Sequence, residues 1–190
     1  MKTSIVVIGA LFATVSVSQD AFGFRKFLDQ FSEHYDANSI PTQNLSEAQA
    51  CGICHVRAGG GGTRTPYGED FRDIALGEGK GFPGIEFIDS DKDGFVNLEE
   101  IYLQTAPGKP DSAPAGRIEL SLKDDSSLQI TPVGTCAQLE LIGFGFQFSD
   151  NTGNTKLLNV QGSTTIAVKG AKGAILARCE TEGLVGSLLK

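Results

Sequence analysis

The chain has 190 residues, enough for one large domain or two small ones, and its 23 acidic and 16 basic side chains give a net charge of −7. This acidity argues against nucleic acid and anionic membrane surfaces as partners, because both repel a negatively charged protein. It is compatible with a basic redox partner protein, although surface acidity also serves solubility alone.

The first 23 residues have the pattern of a secretory signal peptide. Lys2 supplies the positive start, residues 5–17 are mostly apolar, and Ala21 and Gly23 place small residues at a cleavage site. We therefore expect residues 1–23 to be removed and the mature chain to be periplasmic or secreted. No later segment is long and apolar enough to anchor it, so we expect no membrane insertion after cleavage.

Residues 24–35 predict an amphipathic helix, because apolar side chains recur at the 3.6-residue helical period. These side chains are Phe24, Phe27, Leu28, Phe31 and Tyr35. A stripe so rich in aromatic rings suits an ordinary core, but it also suits the cover of a large flat group, which makes Phe31 a candidate cofactor contact. His34 lies at the edge of this stripe.

Residues 51–55 spell C-x-x-C-H, the spacing that attaches a c-type haem. Cys51 and Cys54 would form thioethers with the two vinyl groups of the porphyrin, and His55 would bind the iron as proximal ligand. A capping box at residues 46–49 predicts a short helix across the motif. Two alternatives stay open, a partial zinc site that uses the same three side chains and a disulfide between the two cysteines.

A second helix is predicted after the glycines at residues 59–62, which form a flexible turn. Thr65 is the expected N-cap, with Pro66 at the first helical position. The apolar face of this helix consists of Tyr67, Phe71, Ile74 and Ala75. Tyr67 is a further candidate contact of the cofactor.

Residues 89–100 match the twelve-residue calcium loop D-x-D-x-D-G-x-x-x-x-x-E at every constrained position. The expected ligands are side-chain oxygens of Asp89, Asp91 and Asp93, the carbonyl of Phe95, Asn97 through a water, and two oxygens of Glu100. The alternative is a solvated acidic turn. Since no second loop is visible in the sequence, we expect the calcium ion to stabilise this segment and not to act as a sensor.

The sequence changes character after residues 110–116, which have the composition of a linker. Residues 117–190 contain short alternating apolar runs between turn signals and predict a small antiparallel β domain. Cys136 and Cys179 are expected to pair, because thiols of an exported chain are rarely left free. The predicted fold class is therefore α+β, with a small all-α cytochrome c-like haem domain over residues 24–109 that contains the calcium loop, followed by the β domain.

The histidines and methionines of the chain restrict the sixth ligand of the iron. The two histidines are His34 and His55, and the single methionine, Met1, leaves with the signal peptide. Ligation by histidine and methionine is therefore excluded in the mature chain. Either His34 takes the sixth position, or that position is open or filled by water, lysine or another weak ligand.

These motifs together resemble a group of bacterial exported proteins that carry one c-type haem domain. The matching residues are the C-x-x-C-H motif, the Tyr67-Gly68 pair and the acidic loop, and the loop itself is similar to EF-hand, dockerin and thrombospondin type 3 calcium repeats. The resemblance covers residues 24–114. It implies one haem c at the two cysteines and His55, and one calcium ion at the loop. Residues 116–190 resemble no family that we recognise.

The expected function is that of an exported monohaem c-type cytochrome that passes single electrons to an unidentified redox partner protein. No catalytic constellation accompanies the haem motif, so an enzyme is not expected. One alternative is a secreted calcium-binding structural, adhesive or filament-forming protein that self-associates. Another is a haem-based sensor that binds small ligands at an open sixth site.

Overall fold

A computed structural model describes most of the chain. The described residues are 20–35, 51–57, 60–124, 126–132, 136, 138–148, 154–159, 162–170 and 172–189. The capping box predicted at residues 46–49 and the predicted signal-peptide residues 1–19 lie outside these ranges.

The described part of the first half contains short helical segments. They are α1 (Asp20–His34), α2 (Pro66–Asp70), a π-helical turn (Phe71–Gly77), a 3-10 turn (Phe82–Gly84) and α3 (Asn97–Leu103). The predicted start of α2 is confirmed, because the Thr65 hydroxyl accepts a hydrogen bond from the Gly68 amide at 3.1 Å. α1 begins four residues before the expected Phe24.

The second half forms an eight-stranded sheet. Its strands are β1 (Gly116–Asp124), β2 (Ser127–Pro132), β3 (Gln138–Phe144), β4 (Gln147–Phe148), β5 (Thr155–Asn159), β6 (Thr164–Lys169), β7 (Ala174–Cys179) and β8 (Leu184–Leu189). The strand order is β4-β6-β2-β1-β8-β7-β3-β5, and β1 and β8 are parallel where Gly116 faces Leu184. The other neighbouring strands are antiparallel.

The sheet curls on itself, because strands from both of its ends fill the same apolar core. Phe148 of edge strand β4 and Leu139 of β3 belong to one cluster, and Leu158 of the opposite edge strand β5 packs against it. Alternation along the strands directs these side chains inward; on β6, Ile166 and Val168 are buried between exposed neighbours. The result is a nearly closed barrel.

The other face of β3, β7 and β8 is covered by the helical segments. Ile142, Leu176 and Val185 share a second cluster with Leu98, Tyr102 and other side chains of the first half. A hydrogen bond also joins α3 to β7, since Arg178 donates to the Tyr102 carbonyl at 2.8 Å. The two halves of the described chain therefore share this second cluster, whereas the first cluster belongs to the sheet alone.

The predicted fold class, with a small all-α cytochrome c-like haem domain followed by a small antiparallel β domain, is wrong. The eight-stranded, nearly closed sheet dominates the structure, and the helical segments are few and short. The physical reason is size: α2 has 5 residues and α3 has 7, so their apolar faces cannot enclose a core of their own. α3 buries its apolar face against β7 and β8, and Tyr67 of α2 packs against Phe31 of α1.

The disulfide between Cys136 and Cys179 is present, as predicted, and both cysteines are buried in the barrel core. It joins the entry of β3 to the end of β7, and it spans 43 positions of sequence. Among the described residues, no helix combines the length and the apolar character that a membrane crossing requires.

Candidate functional site

A cavity of about 260 Å³ brings the C-x-x-C-H motif together with α1 and the helical turns. Cys51, Cys54 and His55 all line it, and so does Phe31. The remaining described lining residues are Phe27, Leu28, Ile53, Arg64, Gly68, Phe71, Arg72, Leu76 and Phe82. The cavity is therefore an apolar chamber with two thiols, one imidazole and two guanidinium groups in its wall.

Thr65 fixes the main chain of the motif at the start of α2. Its hydroxyl donates to the Ile53 carbonyl at 2.6 Å, and its amide donates to the Cys54 carbonyl at 3.0 Å. The His55 amide bonds to the Cys51 carbonyl at 2.9 Å, and His55 pairs with Arg64 in an isolated antiparallel bridge. One residue thus caps the helix and holds the motif in place.

Gly68 allows α2 to lie directly against the motif. A Cβ at Gly68 would lie 2.0 Å from the carbonyl oxygen of Cys54, far inside van der Waals contact. The Tyr67-Gly68 pair noted in the sequence therefore has a packing role, because only glycine leaves room for the main chain of Cys54.

The two thiols of the motif are unpaired, in contrast to Cys136 and Cys179. Burial, and then the neighbouring Cys51, raise the pKa of the Cys54 thiol to about 12, so this thiol is protonated at neutral pH. Within the described residues, the motif does not form a convergent cluster of metal ligands, whereas the acidic loop does. The geometry therefore favours neither the disulfide nor the zinc alternative.

The two aromatic candidates occupy different layers. Phe31 lines the cavity and packs against Phe82, with ring centroids 5.7 Å apart. Tyr67 is fully buried, is not among the described lining residues, and lies perpendicular to Phe31 at 6.5 Å. Burial raises the pKa of Tyr67 well above its ordinary value, so its phenol stays neutral. Tyr67 supports the cavity wall and does not line the cavity.

The structure does not bring His34 to the cavity. The Nε2 atom of His34 lies 2.8 Å from Oε1 of Glu86, and the imidazole stacks on Phe82 with centroids 5.4 Å apart. His34 is not among the described lining residues. The sequence placed it at the edge of the apolar stripe but could not show its partner, which is 52 residues away.

The acidic loop gathers three carboxylates. One oxygen from each of Asp89, Asp91 and Asp93 lies within 4.8 Å of the others. The amides of Lys92 and Gly94 donate to the two oxygens of Asp89 at 2.7 and 2.9 Å, which orients that carboxylate. Gly94 has a φ of +99°, so the turn requires a residue without a side chain.

Glu100, on α3, is fully buried beside this cluster. Among the described residues, neither of its carboxylate oxygens has a hydrogen-bond partner. Burial, followed by the charges of Asp91 and Asp93, raises the pKa of Glu100 to about 9. A buried carboxylate next to other carboxylates is costly without a compensating positive charge, so this site suits a cation.

The last two predicted ligands connect the loop to its surroundings. The side-chain amide of Asn97 is buried and donates to the Ile85 carbonyl at 2.7 Å and to the Ser90 hydroxyl at 2.9 Å. The Phe95 amide donates to Asp93 at 2.8 Å, and its ring lies under the Arg117 guanidinium at 4.7 Å. Asn97 therefore has a structural role through its nitrogen, while its oxygen has no hydrogen-bond partner among the described residues.

Three contacts that the sequence did not indicate link the loop to α2 on one side and to the sheet on the other. The Ser90 hydroxyl donates to Asp70 of α2 at 2.6 Å. Arg117 of β1 donates to the Gly94 carbonyl. Glu99 accepts from Ser187 of β8 at 2.8 Å. Only Glu99 had a local signal, because a glutamate at the third helical position can accept from the N-cap amide, as it does here from Val96 at 3.2 Å.

Comparison with protein-family models and with curated proteins finds no match to this chain. The functional assignment therefore rests on the chemistry and geometry of its own residues.

Proposed function

We propose that the protein is an exported monohaem c-type cytochrome that carries single electrons, with a haem segment supported by calcium. The observation that carries this proposal is the cavity, in which the unpaired thiols of Cys51 and Cys54 and the imidazole of His55 meet an apolar wall. Export agrees with the disulfide elsewhere in the chain, since such bonds persist in oxidising compartments.

The residues present fit haem c. Cys51 and Cys54 would hold the porphyrin through thioethers, and His55 would bind the iron from one side. When bound, the haem supplies a one-electron couple between ferric and ferrous iron. The apolar wall excludes water from it, and partly exposed side chains of the lining, Phe27 and Leu76, place the cavity near the surface for exchange with a redox partner protein.

The acidic loop fits a calcium ion. Carboxylate and carbonyl oxygens are the ligands that calcium prefers, and a glutamate at the twelfth position can supply two of them. Asp89, Asp91 and Asp93 already converge, and the buried Glu100 lacks hydrogen-bond donors. We propose that calcium neutralises this cluster and fixes the loop against α2 through the contact between Ser90 and Asp70.

The haem assignment is tested by producing the chain in a host that attaches haem c and measuring its mass after denaturation, its absorption spectrum and its reduction potential. We expect the added mass of one haem and a reversible one-electron couple. Replacing Cys51 or Cys54 with alanine should reduce covalent attachment, because each substitution removes one thioether.

The matched control replaces the other cysteine pair, Cys136 and Cys179, with alanine. This variant loses a disulfide but keeps both thiols of the motif, so it should retain covalent haem, because the pair lies in the barrel core and is not among the described lining residues. A denatured wild-type chain without haem mass would contradict the proposal.

A further inference from the structure

We infer that, among the described side chains, His55 alone would bind the iron of the proposed haem, which would leave the iron able to take a small neutral molecule such as carbon monoxide or nitric oxide. This inference rests on the proposed haem function and adds a ligand class to it. It depends on the composition of the cavity wall, the contacts of His34 and the residue types in the segments nearest to the motif.

The described cavity wall offers no second axial ligand. Side chains that bind haem iron carry an imidazole, thioether, thiolate or phenolate, and a lysine amine can also serve. Apart from His55 and the two thiols that would be used for attachment, the polar side chains of the described lining are Arg64 and Arg72. A guanidinium remains protonated and does not bind a metal.

His34 is held elsewhere. Its ring is fixed by the 2.8 Å contact with the Glu86 carboxylate and by stacking on Phe82. Glu86 is itself anchored through its main chain, since its carbonyl accepts from the Leu98 amide at 2.9 Å. To reach the cavity, His34 would have to give up both contacts and leave the carboxylate of Glu86 without its imidazole partner.

The segments next to the motif also lack the residue types that commonly bind haem iron. Residues 36–50 and 58–59, which flank the described part of the motif, contain no histidine, methionine, cysteine, tyrosine or lysine. The nearest amine along α1 is that of Lys26, whose side chain is exposed and is not among the described lining residues. Lys26 is therefore the residue to test beside His34.

The character of the wall selects the class of ligand. Phe27, Phe31, Phe71 and Phe82 surround the cavity together with aliphatic side chains. The two guanidinium groups of the lining are paired with carboxylates, Arg72 with Glu69 and Asp73 at 2.5 Å each and Arg64 with Glu69 at 3.9 Å. Their charge is therefore compensated, and the apolar remainder of the wall accepts a neutral diatomic molecule without a desolvation penalty. Carbon monoxide bound to ferrous iron is the appropriate probe.

The experiment uses the intact haem-loaded protein, reduced with dithionite, and records its absorption spectrum before and after addition of carbon monoxide. We expect a five-coordinate, high-spin ferrous spectrum and a shift of the Soret band that saturates at one carbon monoxide per haem. The variants His34→Gln and Lys26→Ala should give the same spectrum and the same shift, and glutamine keeps a donor for Glu86.

A matched control variant and the mass of the denatured chain distinguish a failure of this inference from a failure of the proposed function. His55→Ala removes an imidazole at the ligand position and should change the ferrous spectrum, unlike His34→Gln. A haem-bearing wild type that is six-coordinate and low-spin and does not bind carbon monoxide would overturn the inference alone. A chain without covalent haem mass would overturn both this inference and the proposed function.

Discussion

Gly68 decides how closely the C-x-x-C-H motif can approach α2, the helix that supports it. The carbonyl oxygen of Cys54 occupies the space where any side chain at this position would begin. Thr65 then fixes the same stretch of main chain through the Ile53 and Cys54 carbonyls. Both residues shape the cavity through the main chain of the motif.

We predict that Gly68→Ala lowers the free energy of unfolding by about 1–3 kcal/mol, as overpacking does in a close contact between main chains. It should also lower the fraction of protein that carries covalent haem, because Cys54 must shift. Thermal denaturation and the mass spectrum measure the two effects. Gly77→Ala is the control, since a Cβ there meets its nearest atom, the Arg72 carbonyl oxygen, at 3.3 Å. Unchanged stability and loading in Gly68→Ala would refute the close approach.

Residue types at fixed spacing were sufficient to indicate the centre of the site. Cys51, Cys54 and His55 line one cavity, and Phe31 joins them from α1. The positions of His34 and Tyr67 could not be read in this way. Each depends on tertiary contacts, His34 on the distant Glu86 and Tyr67 on its packing behind Phe31. A helical period gives the face of a residue but not its neighbours on other elements.

Helix α3 separates two adjacent glutamates into different roles. Glu99 and Glu100 are both buried, but Glu99 accepts hydrogen bonds from Ser187 and Arg117, whereas the described residues give Glu100 none. Glu100 is therefore the glutamate that would bind a cation, whereas Glu99 joins the loop to the sheet. The consensus of the calcium loop predicted the first role but not the second.

We predict that calcium at 100 times its dissociation constant stabilises the wild-type protein by about 2.7 kcal/mol. This corresponds to a rise in the melting temperature of about 5–10 °C for a chain of this length. Glu100→Gln should abolish most of this rise at the same calcium concentration, because it removes the charge and one of the two oxygens. Differential scanning calorimetry with and without a chelator measures the rise.

Glu99→Gln is the control for that variant. It changes a neighbouring buried glutamate in the same way, but it affects contacts to the sheet, so it should lower stability with and without calcium and preserve the calcium-dependent rise. If Glu100→Gln keeps the full rise, the loop does not bind calcium through this residue.

On the scale of the whole molecule, the shared core determines how the protein unfolds. Ile142, Leu176 and Val185 from the sheet pack with the apolar residues of the helical segments. Arg117 ties the loop to β1 through Gly94 and Glu99. Residues 110–116, which have the composition of a linker, lead directly into the sheet, since the Ala115 amide bonds to the Gly183 carbonyl at 2.9 Å and Gly116 begins β1.

We predict that replacing both Cys136 and Cys179 with alanine lowers the stability of the entire molecule by about 4 kcal/mol, from the entropy of a 43-residue loop. Two signals should follow one transition. Far-ultraviolet circular dichroism reports mainly on the sheet, and tyrosine fluorescence reports on the first half, since the chain has three tyrosines, Tyr35, Tyr67 and Tyr102, and no tryptophan. Two separate transitions would show that the halves unfold independently.

The fold was harder to predict from the sequence than the residues of the candidate site, for a physical reason. Alternation along residues 164–169 and the apolar run at residues 174–179 indicate strands, but neither pattern shows how many strands join or that β1 lies parallel to β8. The packing of the helices is equally hard to predict, because a short apolar stripe can pack against other helices or against the face of a sheet. The structure resolves this choice in favour of the sheet.

The packing of α3 against β7 and β8 means that the first half is not an independent unit. A fragment that stops after the calcium loop keeps every residue proposed to bind haem or calcium, yet it lacks Val185 and the neighbouring strands on which α3 rests. During biosynthesis, β8 is made after both motifs, so α3 can reach its packed position only after β8 has emerged. Engineers who wish to transplant the motif would need to bring the barrel with it.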